Sequence, residues 1–148
     1  MPNEAEAYRL LIGEVNELAA ISRGIGERLA ARHGLTVARW QVMSVVSEED
    51  ATVPGIASRL GLARQSVQRV VDILVTDGLA LKRANPQHRS SPLVTLTARG
   101  SEILVRLADD YDDELARLLS ARHVQRRELL AARRTVRSLL ALLRAQDR

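Results

Sequence analysis

The stretch IASRLGLARQSVQRVVDIL, from Ile56 to Leu74, constrains the fold of this chain most. It places a small residue, Ala57, before a glycine, Gly61, and then a β-branched residue, Val67. Two helices meet at a steep angle only where the contact residue is small and the turn can take positive φ. The pattern therefore predicts a helix-turn-helix with helices over about 53–60 and 63–77. The residues expected to face inward are Ile56, Leu60, Leu62, Val67 and Val70.

The outward face of the second helix is rich in hydrogen-bond donors. Arginine pairs with guanine and glutamine with adenine in the DNA major groove, so Gln65, Gln68 and Arg69 are candidate base contacts. Arg64 and Ser66 stand at the helix start, where contacts to phosphate are natural. This face is predicted to touch double-stranded DNA.

Two short β-like runs, LALKR (79–83) and LVTL (93–96), follow the second helix and enclose the turn-forming segment ANPQHRSSP. They predict a hairpin, which makes the motif a winged helix-turn-helix. Arg89 stands near the tip between His88 and Ser90, and we expect all three to contact DNA. An arginine at this place suits a narrow minor groove, where the negative potential is concentrated.

The flanking segments carry apolar residues at helical spacing. They predict a long helix over 5–32, a second over about 37–48, one from Thr97 to about 120 and a last over about 123–145. Thr36, Thr52 and Thr97 are predicted to cap the helices that follow them. A lobe of 36–100 could not bury all these apolar faces, so self-association is expected. The alternative is a monomeric bundle that buries every apolar face internally.

Three segments taken together, GLTVARWQVMSVVSEED, IASRLGLARQSVQRVVDILVTDGL and NPQHRSSPLVTLTARG, resemble the MarR family of bacterial transcription regulators. The resemblance implies a mainly α fold with a small β-hairpin wing. It also implies a homodimer on a pseudo-palindromic operator, with the second helix of the motif as the recognition helix. Arg89 matches the family's wing arginine. The implied organisation is a dimerisation helix over 1–35, a winged helix-turn-helix domain over 36–100 and dimerisation helices over 101–148.

The chain departs from the family pattern at two positions. His88 stands where the family commonly has an acid that holds the wing in shape, and Ala63 stands where a serine commonly caps the recognition helix. Loss of such a cap costs about 1 kcal/mol. The first departure leaves the conformation of the wing open. The second predicts a start of the recognition helix that is either looser or becomes ordered on DNA.

The resemblance also implies a cleft for a small aromatic or anionic effector between the DNA-binding and dimerisation regions. Arg39, Trp40 and Met43 would line it together with the helices over 5–32 and 98–120. The alternative is that Trp40 is a bulky core residue with no ligand role.

Composition narrows the function further. The chain has no cysteine, which excludes disulfides and thiol chemistry. Its start is polar and no apolar run approaches a membrane span, so we expect a cytoplasmic protein. The acid-rich run DDYDDE (109–114) spreads around several helix faces, as surface acids do. We therefore expect no catalytic residues, no cofactor and no metal.

Charge is distributed unevenly along the chain. Residues 51–100 hold seven Lys or Arg and two Asp, a net charge of +5, whereas residues 1–50 have a net charge of −3. A basic, acid-poor centre attracts polyanions. The prediction is a sequence-specific DNA-binding regulator, acting as a repressor. The alternatives are a winged helix for protein contact and a sequence-neutral architectural DNA binder, which would need more cations.

Overall fold

A computed structural model describes residues 1–146 of the chain. Six helices and a small antiparallel sheet make a mainly α fold, as predicted. In chain order, the elements are α1 (Glu4–Arg32), α2 (Val37–Glu48), β1 (Ala51–Thr52), α3 (Val53–Leu60), α4 (Arg64–Thr76), β2 (Ala80–Arg83), β3 (Leu93–Leu96), α5 (Ala98–Ala121) and α6 (Arg126–Gln146).

The helix-turn-helix forms between α3 and α4. Ile56, Ala57 and Val67 are buried, and Gly61 takes the left-handed conformation at φ 65° that ends α3. A left-handed turn at this point costs glycine little because it has no Cβ. Leu60 and Val70 pack against the core as partly buried residues. The prediction for Leu62 was wrong, because this side chain is 42% exposed. It follows the turn glycine, so it lies outside the crossing of the two helices.

The wing is one part of a three-stranded sheet of order β1-β3-β2. Ala80 pairs with Leu96 and Arg83 with Leu93, so the hairpin register agrees with the two predicted runs. The third strand, β1, was not predicted, since two residues are too few to show a strand period. It pairs with β3 through Ala51 opposite Val94 and ties the wing to the first half of the motif.

Helix starts follow the predicted caps. The side chain of Thr36 accepts a hydrogen bond from the Arg39 N–H at 3.2 Å, and that of Thr52 accepts one from the Gly55 N–H at 3.2 Å. Thr97 accepts from the Gly100 N–H at 3.0 Å and begins α5. Each bond satisfies an amide that would otherwise lack a partner in the first helical turn.

A tight contact joins the start of α5 to the turn between α4 and β2. Gly100 is buried, and a Cβ at this position would collide with the carbonyl oxygen of Leu79. The Thr97 hydroxyl donates to the Gly78 oxygen at 2.7 Å, and the Thr97 N–H donates to Leu79. The end of the helix-turn-helix is thereby held against the first turn of α5.

The core lies among α2, α3, α4, the sheet and the neighbouring parts of α1 and α5. Its largest fully buried side chains are Met43, Ile56, Leu74, Leu107, Val42, Val67, Val71 and Val94. The contacts within the chain define one compact unit over Met1–Tyr111 and another from Asp112 onward. In the second unit α6 has no buried residue. Within residues 1–146, no helix is both long enough and apolar enough to cross a membrane.

Candidate nucleic-acid interface

The predicted donor face of α4 is exposed. Arg64, Gln65, Ser66 and Arg69 are exposed, and Gln68 is partly buried. The opposite side of the helix carries Val67, Val71 and Leu74, which the core buries completely. The apolar back therefore fixes which way the donors point, since rotating the helix would expose its valines.

One acidic residue lies on this donor face. Asp72 stands one turn beyond Gln68, and its Oδ1 accepts a hydrogen bond from Gln68 Nε2 at 2.9 Å. The same oxygen accepts from Lys82 Nζ at 2.8 Å, which brings β2 of the wing into the network. Lys82, and after it Gln68, hold the pKa of the Asp72 carboxyl below its usual value by these hydrogen bonds. Asp72 is therefore ionised at neutral pH.

The donor face of α4 and the wing line a shared cleft of about 340 Å³. It brings four of the predicted DNA-binding residues together with Lys82, and its remaining walls come from α3 and the wing. Those four residues are Arg64, Gln65, Gln68 and Ser90. Ser66, Arg69, His88 and Arg89 are exposed on the same two elements but do not line the cleft.

The start of α4 has the weakness expected from the sequence. Ala63 occupies the N-cap position, and no side chain caps the helix there. The first amides of a helix carry positive partial charge and bind anions when no side chain satisfies them. Arg64 adds a full charge at the same end, so the first turn of α4 is suited to a phosphate.

The wing is ordered by Asn85, which sequence reasoning did not single out. This residue is buried, its Nδ2 donates to the Ser91 carbonyl at 3.0 Å, and its Oδ1 accepts from the Gln87 N–H at 3.1 Å. Its own carbonyl oxygen accepts from the His88 N–H at 3.3 Å. These bonds close the loop over residues 85–91 that carries Arg89, so the wing has a defined loop with His88 where the family resemblance implied an acid.

A second cavity of about 400 Å³ lies between α1 and α2. Trp40 lines it and meets Tyr111 edge to face, with ring centroids 5.1 Å apart. Of the other two predicted effector contacts, Met43 is fully buried in the core, and Arg39 lies 3.7 Å from the Asp77 carboxylate. Arg23 and Gln41 supply polar groups to the cavity instead.

The fold and this exposed face define a winged helix-turn-helix protein of the DNA-binding class. The sequence model of the MarR family matches residues 33–89. The uncharacterized protein Rv2011c of Mycobacterium tuberculosis H37Rv is 45% identical over 136 residues, which cover 92% of this chain and 94% of that protein. Protein Mb2034c of Mycobacterium bovis matches with the same identity and coverage.

Solved structures agree on the fold. The MarR family transcription regulator SP03579 superposes with a TM-score of 0.85 at 24% identity, over 96% of this chain and 93% of that one. CouR of Rhodococcus jostii RHA1, crystallised with p-coumaroyl-CoA, superposes with a TM-score of 0.74 at 21% identity, over 86% of this chain and 90% of that one. The chain belongs to the MarR family.

Sequence reasoning missed Asp72, Lys82 and Asn85. Asp72 could have been noticed, because a residue four positions after Gln68 shares its helix face. Lys82 carried no such signal, since its position beside α4 depends on how the hairpin folds back. Asn85 looked like an ordinary turn residue, and only its burial shows that it organises the loop.

Proposed function

We propose that this protein is a homodimeric transcriptional repressor that binds a pseudo-palindromic operator and is released by a small effector. The observation that carries the proposal is the cleft in which the donors of α4 and the wing converge. A groove lined by Arg64, Lys82 and glutamine amides matches the phosphates and base edges of DNA. Bacterial DNA lies in the cytoplasm, so the proposal places this protein there.

The recognition helix supplies base contacts in this proposal. Gln65, Gln68 and Arg69 reach base edges in the major groove, while Arg64 and Ser66 bind phosphate at the helix start. The uncapped first turn supports the phosphate role, because DNA would supply the acceptor that Ala63 lacks. The wing places Arg89, flanked by His88 and Ser90, at the neighbouring minor groove.

The homodimer rests on the apolar residues of the last helix. Leu129, Leu130, Leu140, Leu142 and Leu143 of α6 are each between 40% and 58% exposed. A concentration of exposed leucines of this kind marks an association surface. A second copy of the chain would cover it and would present two recognition helices about 34 Å apart, one turn of DNA. The division into dimerisation regions over 1–35 and 101–148 around a DNA-binding region over 36–100 belongs to this proposal.

The effector site is assigned to the cavity beside Trp40. Its aromatic pair offers stacking to a flat ring, and Arg23 offers a charge to an anion. CouR, with the same fold, holds p-coumaroyl-CoA, an aromatic thioester. A ligand wedged between α1 and α2 would alter the spacing of the two DNA-binding lobes.

Binding to DNA is tested by fluorescence anisotropy with the duplex upstream of the protein's own gene and with a scrambled duplex, at several salt concentrations. We expect tight binding to the native duplex and a salt slope that corresponds to several phosphate contacts. Weak, equal binding to both duplexes would favour an architectural role. No binding to either at low salt would favour a winged helix for protein contact.

Two variants test the proposed major-groove and minor-groove contacts in the same assay. Arg69→Ala should cost about 1–3 kcal/mol of binding and relax sequence preference, because a base contact carries sequence information. Arg89→Ala should weaken binding most where the flanks are rich in A·T. Arg106→Ala, which removes an exposed arginine of α5, is the matched control and should bind as the wild type does.

The effector is tested through Trp40, the single tryptophan of the chain. Titration with benzoate or p-coumarate should change its fluorescence and lower the affinity for the operator duplex. Arg23→Ala should weaken the response to these anions. A fluorescence change that leaves DNA affinity unaltered would separate ligand binding from regulation.

A further inference from the structure

Asp72 is the one acidic residue in α4, and it lies on the side of the helix that carries the donors. A carboxylate facing a polyanion is unfavourable unless its charge is compensated. Lys82 supplies that compensation from the wing at 2.8 Å. The Asp72 carboxylate nevertheless lies where phosphates and bases would approach. Neutralisation by Lys82 explains why an acid is tolerated there, but not what it contributes.

The second hydrogen bond to the same oxygen indicates what Asp72 contributes. An ionised carboxylate only accepts hydrogen bonds, so Gln68 must turn its amide nitrogen toward Asp72. The amide oxygen Oε1 then points the other way, and the second N–H of the amide stays unused by Asp72. This hydrogen-bond network determines which way round the amide stands.

The exposed edge that remains is one acceptor beside one donor. Adenine presents the complementary pair in the major groove, with N6–H₂ as donor and N7 as acceptor. Guanine presents two acceptors there and would leave Gln68 Oε1 without a donor. An amide fixed in this orientation is prepared for adenine before DNA arrives.

We propose that Asp72 is a specificity-determining residue, which orients the Gln68 amide so that Gln68 reads adenine in the operator. The inference rests on the proposed function, since it assumes that α4 enters the major groove. Asp72 acts through Gln68 and is a positioning residue. Lys82 has a different task, because it neutralises Asp72 and so allows an acid to remain at a DNA surface.

The test begins with selection from a library of random DNA duplexes by the full-length wild-type protein and by Gln68→Met. Methionine keeps the length of the side chain and removes the amide. The operator position whose base preference disappears in Gln68→Met is the one that Gln68 reads. We expect adenine there in the wild type, favoured over the other bases by roughly tenfold or more.

Asp72→Asn is then measured by anisotropy on the selected duplex and on its three single-base variants at that position. An asparagine can donate or accept, so Gln68 becomes free to stand either way round. The preference for adenine should fall toward parity, while affinity for random duplexes rises because a negative charge is gone. Asp72→Ser should behave alike, and in a Gln68→Met background Asp72→Asn should change no base preference.

Two controls separate orientation from charge. Asp77→Asn removes the same charge from the residue that follows α4 but touches neither Gln68 nor Lys82, so it should keep the adenine preference. Lys82→Met should weaken binding to every duplex and also keep that preference, because Asp72 still faces Gln68. Thermal denaturation of each variant shows whether the fold is intact.

The inference is overturned if Gln68 reads a base other than adenine, or if Asp72→Asn and Asp72→Ser keep the wild-type preference. An equal fall in affinity for all duplexes with Asp72→Asn would also overturn it and leave Asp72 as a helix-stabilising residue. These failures concern Asp72 alone, since the wild type would still select an operator. A wild type that enriches no sequence would instead refute the proposed function.

Discussion

The core over residues 1–111 and the last helix contain similar apolar residues but differ in how far they are buried. In the first, Ile56, Leu74 and Leu107 are completely buried by other parts of the same chain. In α6, Leu140 and Leu143 are 44% and 45% exposed, and no residue is buried. Burial of a leucine stabilises by about 1.5–3 kcal/mol, so exposed leucines in number are costly for a protein that stays alone. The first region completes its core within one chain, whereas the leucines of the second stay exposed and would be covered in the proposed dimer.

The two apolar faces have different consequences, one for helix orientation and one for association. A face buried within the chain orients the helix that carries it, as the valines of α4 orient its donors. A face left open, as in α6, would decide how many copies act together in the proposed dimer. Operator recognition by a dimer needs both, because two correctly oriented helices must also be correctly spaced.

The largest effect is expected from Leu139→Asp in α6, because Leu139 lies one helical turn before Leu143 and shares its face. A carboxylate placed in an apolar dimer seam should weaken association by on the order of 4 kcal/mol, or roughly a thousandfold. Analytical ultracentrifugation should show monomers, and operator affinity should fall with dimer content. Ser138→Asp is the matched control, since the helical period places the exposed Ser138 on the side of α6 away from Leu129, Leu140 and Leu143. A Leu139→Asp protein that still sediments as a dimer would remove α6 from the seam.

A smaller effect distinguishes the two regions by concentration. Ile56→Ala leaves a cavity in the core and should lower the free energy of unfolding by about 2–5 kcal/mol. That loss should be the same at every protein concentration, because the cavity lies within one chain. Leu140→Ala should instead give no loss in melting temperature at concentrations where the wild type is monomeric, and a loss that grows to a plateau as the dimer forms. An identical concentration dependence for both variants would contradict the distinction between a core within one chain and an association surface on α6.

A third variant alters the wing, whose loop is completed by contacts within one chain. Asn85→Ala leaves the Gln87 N–H and the Ser91 carbonyl without their partner and should cost about 1–3 kcal/mol of unfolding free energy. Operator binding should weaken in parallel with Arg89→Ala, because the loop no longer holds the arginine. Asn16→Ala, in α1, is the control. An Asn85→Ala protein with wild-type affinity would show that the wing forms on DNA without it.

The smallest expected change is a gain. Ala63→Ser restores an N-cap to α4 and should raise the free energy of unfolding by about 0.5–1 kcal/mol, measured by chemical denaturation. Since the motif is completed within one chain, the gain should not depend on concentration. No gain at all would mean that the first turn of α4 already has its amides satisfied.

Much of the fold could be predicted because its signals are local. Ala57, Gly61 and Val67 predicted the helix-turn-helix, and Thr36, Thr52 and Thr97 predicted three helix starts. The two-residue strand β1 could not be predicted, since its pairing with β3 is a contact between distant segments. Leu62 was assigned to the wrong side because periodicity does not extend through a turn.

Some features of the candidate site could also be predicted from local sequence, and others depend on distant contacts. The exposure of Arg64, Gln65 and Arg69 follows from the helical period, which the sequence carries. The sequence by itself therefore determined the class of fold, the donor face and the residues along it. Only the tertiary structure decided that Lys82 meets Asp72 and that Asn85 closes the wing. The physical reason is that helix faces and caps depend on neighbours within a few residues, whereas these contacts depend on how the hairpin packs back onto α4.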